Sequence, residues 1–177
     1  MLISDAQADL RRAYTDGGPG VLISGLVWLA AWIADSRSGT ATGFAVLFVG
    51  GMTIYPLALL ANRALLRRPA EVKGNPGGPL VVEVTAAMIA GLFAAYLFLD
   101  HAPELVMPLA AIAVGVHYFA FRTAYGDKIF WALGAIVTFV GVAAIYRFVP
   151  LPGPVTLQVA IIEILFGIGL TWRGTRR

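Results

Sequence analysis

No cysteine occurs anywhere in this chain, which excludes disulfides, thiolate metal sites and cysteine nucleophiles together. Charge is scarce as well. Asp, Glu, Lys and Arg make up 13% of the 177 residues, about half the share of a soluble domain. Only two histidines are present, and their separation along the chain argues against a zinc site. No Walker loop, G-x-G-x-x-G fingerprint, H-E-x-x-H pair or G-x-S-x-G elbow occurs. Pairing Ser24 with His117 as a nucleophile has no geometric basis. These absences point away from an enzyme and from any cofactor. With no basic tail and no RNA-binding motif, nucleic acid is excluded as a partner too.

What the chain has in quantity is apolar surface: 59% hydrophobic residues and a mean hydropathy of +0.80. A water-soluble fold of this length could not hide so much of it. A transmembrane helix needs about 20 mostly apolar residues, and six segments qualify, at 19–35, 40–62, 79–99, 103–123, 127–148 and 154–172. The predicted fold is therefore all-α: one integral membrane domain over 1–177, a polytopic bundle of six transmembrane helices. Pro79, Pro103 and Pro154 fall in first turns, where a missing N–H costs nothing, and Asp127 is a natural N-cap. Pro56 is expected to kink the second span, and Pro56 and Pro108 to break helix regularity. The segment "RALLRRPAEVKGNPGGP" between spans two and three reads as a basic, flexible loop rather than a phosphate loop.

Basic residues set the expected orientation. Eleven of the thirteen fall on one side: Arg11, Arg12, Arg63, Arg67, Arg68, Lys73, Arg122, Lys128, Arg173, Arg176 and Arg177, against Arg37 and Arg147 on the other. The positive-inside rule then makes both termini cytoplasmic. Trp28 and Trp32 are expected at the outer interface, Trp131 and Trp172 at the inner one. Residues 1–16 read as a short amphipathic helix on the inner surface. Ser4 and Gln7 have capping-box spacing, and Leu2, Ile3, Ala6, Leu10, Ala13 and Tyr14 form its apolar stripe. The basic pair comes too late for a signal peptide, so an uncleaved chain is expected. "RRAYTDGG" and "FRTAYGDK" look alike, but the match is too short to establish a duplication.

Two carboxylates interrupt the apolar spans: Glu83 in "LVVEVTAAMIAGLF" and Glu163 in "VAIIEILFGIG". Glu83 shares a helical face with Ala86, Ala87, Ala90, Gly91 and Ala94, and Glu163 with Thr156, Ala160, Gly167 and Thr171. Small residues let helix backbones approach, so both glutamates are expected to point into the bundle. An ionisable group inside a membrane span is a functional candidate by default. At about 1.5 Å per residue, Glu83 lies about 6 Å, His117 about 9 Å and Glu163 about 13 Å in from the basic side. Tyr55, Tyr118 and Arg122 belong to the same half. The expectation is a cavity open to the cytoplasm, lined by Glu163, Glu83, His117, Tyr118, Arg122 and Tyr55. An ion pair between Glu83 and Arg122 is the structural alternative, and Glu163 requires a cross-helix partner.

On this reading the protein is a small transporter or carrier, with membrane lipids around it and an ion or small molecule as substrate. Three alternatives stand beside it. One is a structural or partner-binding membrane subunit, including a homo-oligomer through the small-residue faces. The others are a lipid-binding protein and a membrane-embedded enzyme.

The stretches "RRAYTDGGPGVLISGLVWLAAW", "GGMTIYPLALLANR", "GNPGGPL" and "PLAAIAVGVHYFAFRTAYGDKIF" together resemble a family of small bacterial six-span membrane proteins of unknown function. The resemblance covers most of residues 10–135. It rests on an R-x-x-Y-x-x-G entry to the first span, G-x-H-Y at 115–118 and the Y-G at 125–126. It implies a bacterial inner-membrane protein and supplies no activity.

Overall fold

The computed structural model describes residues 1–150 and 152–176. Arg177, counted above among the basic residues, lies outside them. The described chain is helical, and six of its helices are long and apolar enough to cross a membrane. A short α1 (Ile3–Tyr14) precedes them. The six are α2 (Gly18–Ser38), α3 (Thr40–Leu60), α4 (Gly77–Tyr96), α5 (Val106–Tyr125), α6 (Ile129–Tyr146) and α7 (Val155–Thr175). The expected all-α bundle of six apolar helices is what forms.

Glycine decides how the helices pair. On α2, a Cβ at Gly18 would stand 2.3 Å from the Thr171 amide, and one at Gly25 would stand 2.7 Å from that of Ile164. From α7, Gly167 meets the Leu22 amide at 2.4 Å and Gly174 meets the Thr15 backbone. Backbone thus rests on backbone along an antiparallel α2–α7 pair, the close packing that membrane helices achieve with small residues. Gly115, Gly134 and Gly141 do the same for α5 and α6. Because the start of α2 meets the end of α7, both fall at one end of the bundle, with most of the arginines; we call it the basic end. Helix α4 packs mainly on α5 at the edge.

Several expectations change here. Trp28 is 1% exposed and belongs to the core rather than to an interfacial belt. Pro56 does not end α3, which continues to Leu60 and on into a π-helical turn, Ala61–Leu65. Pro108 sits in the first turn of α5, where it breaks nothing. The start of α1 has no side-chain cap; Gln7 instead donates to the Thr123 carbonyl at 2.9 Å. The later part of the α1 stripe, Ala6, Leu10 and Ala13, is buried against the bundle, while Leu2 and Ile3 are exposed.

Candidate functional site

Three helices bring one polar group each to a single buried point. Glu163 of α7 is 0% exposed, about 18 Å from the last residue of its helix at 1.5 Å per residue. Its Oε1 accepts a hydrogen bond from the Tyr118 hydroxyl of α5 at 2.9 Å. Ser24 of α2 lies beside both the carboxyl and that hydroxyl. Gly25 explains its position: the close approach of α2 to Ile164 and Ala160 carries the preceding residue to Glu163. The second carboxyl oxygen, Oε2, has no hydrogen-bond partner among the described residues. Nor does any arginine, lysine or histidine pair with Glu163 there.

Not all the predicted residues meet at this point. His117 adjoins it, its ring 4.6 Å from that of Tyr118, while its Nδ1 bonds the Val114 carbonyl at 2.8 Å. Its ring also lines an apolar groove of about 450 Å³ between α4 and α5. Arg122 is half-buried, with its guanidinium over the Trp131 ring at 5.1 Å. Glu83 is exposed, and Ala86, Ala87, Ala90 and Ala94 are exposed with it. Only part of the predicted inward face of α4 meets a neighbour: a Cβ at Gly91 would stand 2.8 Å from the Ala113 side chain of α5, while Glu83 lies on the part left open because α4 packs mainly on α5 at the edge. Glu83 and Arg122 form no ion pair among the described residues. Tyr55, 63% exposed, does not line the buried site. Nor does solvent reach Glu163 from the expected opening: among the described residues it is 0% exposed.

The basic end holds a second polar assembly, which the sequence did not reveal. Thr15, Asp16 and Gly17 are left-handed in succession, with φ of 50°, 55° and 78°. A β-branched residue rarely adopts this backbone, so Thr15 is held by its surroundings. Its hydroxyl donates to Asn62 Oδ1 at 2.6 Å, and Asn62 Nδ2 donates to the Ala58 carbonyl at 2.8 Å. The turn delivers Asp16, 1% exposed, to Arg173, whose Nε donates to Asp16 Oδ2 at 2.9 Å. A second guanidinium nitrogen of Arg173 bonds Asp127, and Asp127 Oδ1 accepts the Ile129 amide at 3.0 Å as α6 begins. Arg173 thereby ties the entrance of α2, the α5–α6 turn and the end of α7 together. The two similar stretches in the sequence supply its two acids, one each.

Asp9 plays the matching role for α1. It accepts from Arg12, from the Val72 amide at 2.8 Å and from Asn75 Nδ2 at 2.9 Å, pinning the loop before α4 under the helix. Asn75 Nδ2 also reaches the Ala6 carbonyl at 3.0 Å. Among the described residues no three metal-ligating side chains converge.

Residues 3–173 match the model of a family of unknown function, DUF7010. The chain belongs to that family. The match extends through α7, and so takes in Glu163, Tyr118, Ser24, Asp16, Asp127 and Arg173 alike. No curated protein and no solved structure matches the chain. Together with the six helices, membership identifies a small multi-pass membrane protein of unknown function.

Proposed function

We propose that this protein is a carrier of the bacterial inner membrane, with both termini in the cytoplasm, in which Glu163 accepts and releases a proton or a small cation. One observation carries the reading: Glu163 is completely buried, has only hydroxyl company, and keeps Oε2 without a partner. Burying an ionisable group with so little compensation is costly, and a fold that needed only packing would do better with an apolar residue there. Tyr118 and Ser24 hold the carboxyl in place and can serve a bound cation or proton with their oxygens. The Arg173 contacts with Asp16 and Asp127 close the cytoplasmic side. Opening there requires α2 and α7 to part below Glu163: α7 carries both Arg173 of the closure and Glu163 of the site, and α2, which carries Ser24, follows directly on the turn that holds Asp16.

A structural reading has one observation in its favour: Glu163 lies where α2 and α7 touch backbone to backbone, so its bond to Tyr118 also ties α5 to that pair. Reconstitution separates the two. Vesicles containing a trapped pH dye are given a sodium or potassium gradient. A Glu163-dependent change of internal pH, lost in Glu163→Gln, supports the carrier. Parent vesicles indistinguishable from protein-free ones for both ions count against it.

A further inference from the structure

Helix α1, the turn after α5 and the last turn of α7 enclose a polar recess of about 360 Å³, lined by Arg11, Gly126, Asp127 and Arg173. Its two guanidinium groups are not equivalent. The charge of Arg173 is compensated by Asp16 and Asp127. Arg11, half-buried, meets no carboxylate among the described residues. Its hydrogen bond goes to the Tyr125 carbonyl, which leaves most of its five donors unused. Gly126 leaves room for that guanidinium. Its φ of +67° favours glycine, and a Cβ there would stand 2.4 Å from Gln7 Oε1 and 3.0 Å from an Arg11 terminal nitrogen. The recess also lies at the level where aromatic residues mark a membrane interface: Trp172, next to Arg173, is exposed and carries Arg176 over its ring at 3.8 Å.

We propose that this recess binds the phosphate of a phospholipid headgroup, with Arg11 as the principal donor and Arg173 as the second. A guanidinium fork matches phosphate oxygens. Asp127 at the rim sets the preferred charge: a lipid phosphodiester carries one negative charge, whereas free phosphate near neutral pH carries more and meets stronger repulsion. The site does not depend on the carrier reading, since a structural membrane subunit would hold the lipid in the same way.

The test uses the full chain in detergent, titrated with dioctanoyl phosphatidylglycerol, with dioctanoylglycerol (the same tails without phosphate) and with inorganic phosphate. Thermal unfolding and intact-complex mass spectrometry report binding. Phosphatidylglycerol is expected to raise the melting temperature saturably and to remain bound, dioctanoylglycerol to do neither, and Arg11→Gln to weaken the lipid at least tenfold. Protection by inorganic phosphate equal to that by the lipid would keep the phosphate chemistry and make a soluble anion its source. Equal effects of the two lipids, or undiminished binding in a folded Arg11→Gln, would overturn the proposal. If Arg11→Gln does not fold, the comparison of the two lipids on the parent protein decides by itself.

Discussion

Replacing Gly167 by alanine tests the α2–α7 seam that surrounds Glu163. The new Cβ would lie 2.4 Å from the Leu22 amide nitrogen and 2.5 Å from its Cα. Both are backbone atoms of a packed helix, so they cannot swing aside as a side-chain tip would; the helices must separate by about 1 Å to restore ordinary contact. Overpacking a tight interior costs about 1–3 kcal/mol, and a backbone obstacle places this case near 3 kcal/mol. Alanine recovers up to about 1 kcal/mol of helix propensity. Gly169→Ala supplies the control, because Gly169 is exposed on the same helix with nothing within 4 Å of its Cβ position. The propensity gain is common to both variants, so their difference isolates the clash at about 3 kcal/mol. For a chain of this size that corresponds to about 6–12 °C in melting temperature. Thermal unfolding of the two purified variants in the same detergent measures it. Equal melting temperatures would refute the backbone-contact seam and, with it, the placing of Ser24 beside Glu163.

Three further expectations concern the polar groups. Tyr118→Phe keeps the ring packing and removes the hydroxyl that donates to Glu163 Oε1, so it should cost about 1–3 kcal/mol, read as a lower melting temperature. Glu163→Gln should stay within about 1 kcal/mol of the parent, because its amide oxygen can still accept from Tyr118 and no buried cation is stranded; a loss of about 3–5 kcal/mol would reveal a partner cation. Arg173→Gln removes a half-buried guanidinium from Asp16 and Asp127. It is expected to destabilise by about 1–3 kcal/mol after allowance for its exposure, and unchanged unfolding would show that the contact does not hold the basic end closed.

The helices were legible because hydropathy over about 20 residues is a local property of the chain. The inward face of α7 was legible for a related reason: Thr156, Ala160, Glu163 and Gly167 are all buried, and small residues beside a carboxylate on one face leave little else for that face to do. The same logic failed at Glu83. A small-residue face says that a helix is able to pack closely, not that a neighbour is present, and the place of α4 at the edge follows from contacts between distant segments. Tyr118 could be named from its span, but its partner could not. The Arg173 assembly was hidden more completely, since Arg173 and Asp16 are 157 residues apart, and Arg173 and Asp127 each satisfied a local expectation, as a basic-side residue and an N-cap. The left-handed Thr15 and Asp16 gave no signal, because neither is a glycine; the adjacent Gly17 and Gly18 mark a turn without specifying it.

The most direct measurement of the central claim is whether water ever reaches Glu163. A carrier must expose the residue that binds its cargo, whereas a packing residue with 0% exposure stays shut. Membranes containing the parent protein would be treated with a water-soluble carbodiimide and an amine, and the modified carboxyls mapped by peptide mass spectrometry. Glu163→Gln controls for the assignment and Arg173→Gln for the closure. Modification at Glu163, faster in Arg173→Gln, is the expected result. Modification confined to exposed carboxylates such as Glu83 and Glu104, with Glu163 untouched in both the parent and Arg173→Gln, would contradict the carrier.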